Sequence, residues 1–519
     1  MIKQTQQQAE LHKQLWAMAN ELRGNMDASE FKDFILSIIF YRYLSENLIR
    51  VIEEEYLNDD KLTYPEAWKK KDVREALIEE LTENSDIGYL IEPQFLFSEL
   101  VNLIKQGRFD ISVMSEAIKK LSQSTIGKSS QEDFNGLFED MDLNSNKLGK
   151  GEKDRSDKLG KIILKVSDID FSHGDAQIDV LGDAYEYLIG QFAANAGKKA
   201  GEFYTPQAVS EILARVVTLG KKEIKDVYDP TCGSGSLLLR ISQHAKIGKY
   251  YGQELNSTTY NLARMNMMLH KVPFNRFDIY QGDTLENPCD RHAMMKFEAV
   301  VANPPYSAKW SGDDKFLQDE RFSAYGRLAP NSKADYAFVQ HMIHHLSDNG
   351  TMAVVLPHGV LFRGGAEEVI RTYLVKDKNY LDAIIGLPDN LFYGTTIPTT
   401  ILIFKKCKVD SKVLFIDASN EFKKDKNQNV LLLEHIDKIV STYQSRKEIE
   451  KYSHVATMKE IEENEFNLNI PRYVDTFEEE APIDIVAVRA DLKRLNKEIE
   501  ETKKEINKYL DELGEPHLE

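Results

Sequence analysis

The tetrapeptide Asn303-Pro304-Pro305-Tyr306 directly follows the apolar run Phe297 to Ala302. Neither proline can donate to a β-ladder, so a strand ending this way is built to stop and present a rigid loop of acceptors. The Asn303 side-chain oxygen and the Pro304 carbonyl can both accept from one exocyclic NH2 group. Such an amine is a poor nucleophile while its lone pair is delocalised into a heteroaromatic ring. Two hydrogen bonds taken from it draw the nitrogen toward tetrahedral geometry and free that pair for attack. Pro305 stiffens the loop, and Tyr306 offers a ring face on which a base can stack. Four residues alone are equally compatible with a proline-rich turn after a core strand.

Upstream, Val227-Tyr228-Asp229-Pro230-Thr231-Cys232-Gly233-Ser234-Gly235-Ser236 has the form strand, acidic turn, Gly-x-Gly, helix. Its glycines allow a close approach of backbone to ligand, and the helix from about Ser236 aims its N-terminus at the same place. A pyrophosphate-binding loop would carry glycine three residues after Gly235, where this chain has Leu238. A nucleotide-like ligand without pyrophosphate fits better. The next apolar segment, Tyr250 to Gln253, ends at Glu254, whose carboxylate at a strand tip suits both hydroxyls of a ribose. A third strand, Phe277 to Gln281, leads to Gly282-Asp283 and a further acceptor at the same edge.

In this order, Asp229-Pro-Thr-Cys-Gly-Ser-Gly, Glu254, Asp283 and Asn303-Pro-Pro-Tyr resemble the motifs of the S-adenosylmethionine-dependent amino-methyltransferases of DNA. Gly201-Glu202-Phe203-Tyr204-Thr205-Pro206 stands where the N6-adenine branch carries its extra cofactor motif. The flanking segments Leu181-Gly182-Asp183-Ala184-Tyr185-Glu186-Tyr187-Leu188-Ile189 and Gly197-Lys198-Lys199-Ala200 are similar to the modification subunit of bacterial type I restriction–modification systems. The resemblance runs over most of the chain. It implies methyl transfer from S-adenosylmethionine to the N6 amine of an adenine flipped out of duplex DNA. Asn303, Pro304, Pro305 and Tyr306 would then be catalytic. Glu202, Phe203, Tyr204, Thr205, Pro206, Gln207, Asp229, Thr231, Cys232, Gly233, Ser234, Gly235, Glu254 and Asp283 would bind the cofactor. No metal is implied. A specificity subunit would supply the choice of DNA site, with two copies of this chain per specificity subunit, and a restriction subunit could join them.

The elements that must position these residues alternate strand and helix from about 165 to 410, the pattern of an α/β fold with a mostly parallel, doubly wound sheet. Strands are expected near Val227–Asp229, Tyr250–Gln253, Phe277–Gln281, Phe297–Ala302, Met352–Leu356, Leu381–Gly386 and Thr400–Phe404. Ligands of such sheets lie outside the carboxyl ends of the strands, where the glycine loop, Glu254, Asp283 and Asn303 converge. The polar stretch between Tyr306 and Asp335 is too long for a simple connection and reads as functional or mobile. In the loop Leu391 to Pro398, Phe392 and Tyr393 are either a second face for the target base or ordinary core aromatics.

Residues 1–145 read as a helical domain. Asp27 to Glu30 has the form of a capping signal, and Phe31, Phe34, Ile35, Ile38, Ile39, Leu44 and Leu48 repeat with helical spacing. Residues 146–165, rich in Lys, Gly and Asp, read as a linker. The catalytic domain then spans 166–410 and a C-terminal extension 411–480. In the tail, 481–519, Val488, Leu492, Leu495, Ile499, Thr502, Ile506, Tyr509 and Leu513 alternate by four and three. That is a coiled-coil-like helix seeking a partner helix, beginning near Pro482 and ending at Gly514. By resemblance the partner is the specificity subunit.

The chain has 519 residues, 42% of them hydrophobic, and its formal net charge is -18. It is long enough for about three globular domains. It has no run of about 18 apolar residues, and its N-terminus is polar, so neither a membrane span nor a secretory signal is expected. Cys232, Cys289 and Cys407 form neither a metal pattern nor a disulfide framework, which suits a reducing cytoplasm, a bacterial one by the resemblance. The acidity is unusual for a protein that handles DNA and favours a basic partner. Lys69-Lys70-Lys71 and the run Lys147 to Lys165 are local exceptions that read more readily as solvated faces. Three other readings remain at this level: a solitary DNA methyltransferase, an RNA or protein amino-methyltransferase, and a non-catalytic scaffold. The first needs a target-recognition domain, for which the roughly 70 residues before the tail leave little room.

Overall fold

The computed structural model of the chain describes residues 11–20, 28–57, 62–81, 87–169, 180–195, 205–392, 395–425, 428–476 and 485–518. It divides into two compact units, Met1–Val474 and Asp475–Glu519.

The larger unit is organised by one nine-stranded sheet. Its first seven strands in chain order are β1 (Glu223–Asp229), β2 (Lys246–Glu254), β3 (Phe277–Gln281), β4 (Phe297–Ala302), β5 (Leu346–Pro357), β6 (Leu381–Gly386) and β7 (Thr399–Lys405). β8 (Val413–Asp417) and β11 (Ser453–Ala456) extend the sheet, while β9 (Lys423–Asp425) and β10 (Gln428–Val430) make a separate ribbon. The strand order is β11-β8-β6-β7-β5-β4-β1-β2-β3. β3, β2, β1, β4 and β5 run parallel, and β7 enters antiparallel to both β5 and β6. The chain leaves β1 in one direction and returns as β4 on its other side. This opens a crevice beside the carboxyl ends of β1 and β4.

All seven expected strands are present. The sheet does not stop near 410, however, because β8 pairs parallel to β6 and β11 pairs antiparallel to β8. The expected linker at 146–165 is also corrected. Glu152–Ser167 is a helix whose Leu159, Ile162, Ile163 and Val166 are buried at helical spacing. Gly160 is buried on the packed face of this helix, where an added Cβ would meet Ile104 and Phe109 at ordinary contact distance, so a residue that reads as a loop former lies within a helix instead.

In the N-terminal region the helix Ala28–Val51 buries Phe31, Phe34, Ile35, Ile38, Ile39, Leu44 and Leu48, as their spacing predicts. Asp27 lies outside the described residues. Arg42 donates to the carbonyls of Val166 and Ile169 at 2.6 and 2.8 Å, satisfying the open C-terminal end of the Glu152–Ser167 helix. Buried Arg264, on the helix Ser257–Leu269, reaches the carbonyls of Glu132, Asp133 and Asn135 at 2.8–3.1 Å. Asn261 on the same helix donates to Asp140 at 2.7 Å. The helix that follows Glu254 is thereby tied to the N-terminal region.

The segment from Tyr306 to Asp335 is ordered around its own aromatic cluster of Trp310, Phe316, Phe322 and Tyr325, all buried. In the smaller unit, Ile485–Leu513 is one helix of 29 residues that ends where Gly514 takes φ 73. Its apolar seam is open to solvent, with Leu492 55%, Leu495 46% and Ile499 52% exposed. Pro482, the expected start, lies outside the described residues. Among the described residues, no helix is long and apolar enough to cross a membrane.

Candidate active site

The glycine loop is a tight turn between β1 and the helix Ser236–Ile241. Gly233 and Gly235 take φ 56 and 76, the left-handed region that favours glycine. Strand and loop approach closely: a Cβ at Gly252 on β2 would come within 3.0 Å of the Cys232 sulfur. Cys232 is buried, burial holds its thiol far above the usual range, and it serves as packing. Asp229 is also buried, and its Oδ1 accepts from the Thr231 amide at 2.9 Å. Burial pushes its carboxyl up to about 8, opposed by the bonds from Thr231 and reinforced by the Glu254 charge. Fully buried Asn266 donates to the Ser234 carbonyl at 3.0 Å and so holds the loop from the Ser257–Leu269 helix.

Glu254 ends β2 and turns its carboxylate onto this loop. Oε2 accepts from the Gly233 amide at 3.0 Å and Oε1 from the Asn256 amide at 2.8 Å. Two ionised oxygens offer about four acceptor sites, so capacity remains for a ligand's hydroxyls. Burial raises the Glu254 pKa, partly offset by these amide bonds. Asp283 follows β3 and accepts from the amides of Leu285 and Glu286 at 2.9 and 3.0 Å. Its loop is fixed from two sides. Buried Gln253 donates to the Asn287 carbonyl at 3.0 Å, and buried Arg321 donates to the carbonyls of Thr284 and Leu285, each at 2.9 Å.

Asn303 emerges from β4 with both ends of its amide engaged. Nδ2 donates to the Thr205 hydroxyl at 3.1 Å, and Oδ1 accepts from the Tyr306 hydroxyl at 2.7 Å. These bonds orient the side chain, and an amide oxygen keeps a second lone pair for another donor. Pro304 is buried and Pro305 is exposed. Thr205, expected beside the cofactor, thus touches the Asn303 side chain. Pro206 caps the helix Gln207–Val217, and Gln207 is exposed. Glu202, Phe203, Tyr204 and Tyr393 lie outside the described residues. Phe392 is buried in the main core and meets Tyr306 edge-on, with ring centroids 5.9 Å apart at 78°. Of the two alternatives left by the sequence, Phe392 takes the second, a core aromatic that buttresses Tyr306, and not that of an open stacking face.

One cavity of about 800 Å³ joins these features, lined by Thr231, Glu254, Asp283, Asn303 and Pro305 among others. Its wall also contains Leu255 and Trp310, which sequence reasoning missed. Leu255 is 64% exposed beside the Glu254 carboxylate. A leucine directly after the acid that ends the strand is the one signal that could have identified it. An apolar side chain beside paired acceptors suits a nucleoside, with polar ribose and flat base. The residues present therefore fit S-adenosylmethionine. Among the described residues no cluster suited to a metal ion occurs.

A family model described as N-6 DNA Methylase matches residues 176–481, and one described as HsdM N-terminal domain matches residues 11–166. The chain is 39% identical to the methylase subunit of the type I restriction enzyme MpnII of Mycoplasma pneumoniae, covering 93% of this chain and 92% of that protein. It is 34% identical to the MjaVII methylase subunit of Methanocaldococcus jannaschii, over 79% of this chain and 70% of the relative. The crystal structure of a type I restriction-modification methyltransferase subunit from Streptococcus thermophilus superposes with a TM-score of 0.84 at 44% identity. That match covers 91% of this chain and all of the other.

Proposed function

The chain belongs to the N-6 DNA methylase family, among the methylase subunits of type I restriction–modification systems, and on that premise we propose how its residues divide the work. The reaction is methylation of the N6 amine of an adenine in duplex DNA. When bound, S-adenosylmethionine supplies an activated sulfonium methyl group, so no metal and no strong general base are needed.

Glu254 would accept from the ribose hydroxyls, Asp283 would serve the cofactor's adenine, and Leu255 would offer it an apolar contact. Asp229, Thr231, Cys232, Gly233, Ser234 and Gly235 would shape the methionine end, and the motif Glu202 to Gln207 would contribute to cofactor binding. Asn303 Oδ1 and the Pro304 carbonyl accept from the target amine, Pro305 stiffens the loop and Tyr306 stacks on the flipped base. Catalysis is then mainly alignment of the amine with the methyl group, together with its polarisation by fixed acceptors. The observation that carries this reading is that Glu254, Asp283 and Asn303 line one cavity while Thr205 and Tyr306 orient the Asn303 amide.

Site choice comes from a separate specificity subunit held through the tail helix, with two copies of this chain per specificity subunit. A restriction subunit can join the assembly, which works in the cytoplasm. The domains follow the same division: a helical N-terminal domain, the catalytic sheet with its C-terminal extension, and the tail. Net charge -18 and the exposed seam with Leu492, Leu495 and Ile499 support a subunit that depends on a basic partner to reach DNA. The test compares the intact chain with one truncated before Val488. Both should bind S-adenosylmethionine, but only the intact chain should assemble with the specificity subunit and methylate a specific site. Site-specific methylation by this polypeptide alone, or assembly after truncation, would overturn the tail's assignment.

A further inference from the structure

The residue after the catalytic tetrapeptide is held in an unfavourable conformation. Ser307 has φ 51, left-handed backbone that a non-glycine residue keeps only when its surroundings enforce it. Its amide donates to Asp335 Oδ1 at 2.8 Å. Asp335 opens the helix Asp335–His345 and is fully buried. Its other oxygen, Oδ2, accepts from Arg363 Nη1 at 2.9 Å, and the same nitrogen reaches buried Glu367 at 3.1 Å. Arg363 is fixed in turn: Arg371 donates to its carbonyl at 2.9 Å, and a Cβ at Gly359 would collide with its guanidinium. Ala334 and Phe338, around the start of the Asp335–His345 helix, line the same cavity as Asn303 and Pro305.

We propose that Asp335 is a positioning residue for methyl transfer, acting through its hydrogen bond to the Ser307 amide. That bond fixes the peptide that follows Tyr306, and Tyr306 in turn holds Asn303 Oδ1. Arg363 and Glu367 keep the buried carboxylate in place rather than touching substrate. The chain of contacts runs from Arg363 through Asp335, Ser307 and Tyr306 to the acceptor of the target amine. Small displacements of a reacting group cost large factors in rate, so an anchor buried behind the loop is felt in kcat. Cofactor binding, which draws on Glu254 and Asp283, is left intact.

The inference rests on the proposed role of Asn303, and two conservative variants separate its parts. Asp335→Asn keeps an oxygen acceptor for the Ser307 amide and loses the charge. Asp335→Glu keeps the charge and the Arg363 partner but moves the carboxylate by one methylene. In the complex assembled with the specificity subunit, Asp335→Asn should retain kcat to within about threefold, whereas Asp335→Glu should lower it about tenfold or more. Both should bind S-adenosylmethionine within about twofold of the parent. The reverse order would make the ion pair, not the Ser307 anchor, the determinant. Equal activity in all three proteins, or cofactor affinity falling together with kcat, would likewise overturn the proposal. Asn303→Ala measured alongside keeps the premises apart. If that variant is active, the reading of the site fails; if it is inactive while both Asp335 variants match the parent, only the anchoring role fails.

Discussion

The two halves of the sheet's carboxyl edge are built on different terms. Beyond β1, β2 and β3 the polar groups are held by backbone amides and keep spare acceptor capacity: Glu254 on Gly233 and Asn256, Asp283 on Leu285 and Glu286. An exposed leucine stands among them. Beyond β4 the arrangement is closed. Asn303 is engaged at both ends of its amide, Pro304 and Phe392 are buried, and the Ser307 amide is pinned by Asp335. The first half is prepared to receive a ligand; the second is prearranged to hold one atom in one place. Substitutions in the first half should therefore register in affinity, and those in the second in turnover.

The largest effect is expected in the closed half. Asn303→Ala should lower kcat by about a hundredfold or more, the loss of roughly 3 kcal/mol that follows removal of one preorganised partner. Its affinity for S-adenosylmethionine should be unchanged, which calorimetry with the purified chain can check. Glu254→Ala is the complement. It should weaken cofactor binding by about 1.5–3 kcal/mol, the usual worth of hydrogen bonds to a charged group, and restore near-parent kcat at saturating cofactor. Unchanged affinity would remove Glu254 from the ribose site and with it the contrast between the halves.

A third test uses pH. Burial raises the Glu254 pKa above its ordinary 4.5. Ribose hydroxyls bind best to the ionised carboxylate, so bound cofactor favours the deprotonated form. Affinity should hold at neutral pH and decline as pH falls through the raised value, with the decline beginning above 4.5 and absent in Glu254→Gln. Binding curves over a pH series that are superimposable for parent and Glu254→Gln would contradict this. The smallest effect belongs to Leu255→Ala, about 1 kcal/mol in cofactor affinity from lost apolar contact, without change in kcat.

The same division explains what could be read from sequence. The central strands were legible because each is an apolar run bounded by turn residues, and Asn303, Glu254 and Asp283 were legible because each closes such a run. Val413–Asp417 and Ser453–Ala456 escaped as short segments in a charged stretch, although they complete the sheet. The Glu152–Ser167 helix was hidden by the lysines and acids around four well-spaced apolar residues and by a glycine, Gly160, on its buried face. Contacts across the fold left no local trace. Thr205 meets Asn303 across 98 positions and Asp335 meets Ser307 across 28, distances that only the tertiary structure closes. Phe392 shows the converse, because an aromatic beside a glycine looks like a clamp until its burial is known.

Mapping modified bases in the genome of the source cell tests the central claim most directly, comparing the intact gene, its deletion and the Asn303→Ala replacement. N6-methyladenine should appear at one recurring sequence with the intact gene and vanish from that sequence in both altered strains. Persistence of the mark in the Asn303→Ala strain, or a lost mark that proves to be a methylated cytosine, would contradict the assignment of Asn303 as the acceptor of an adenine amine.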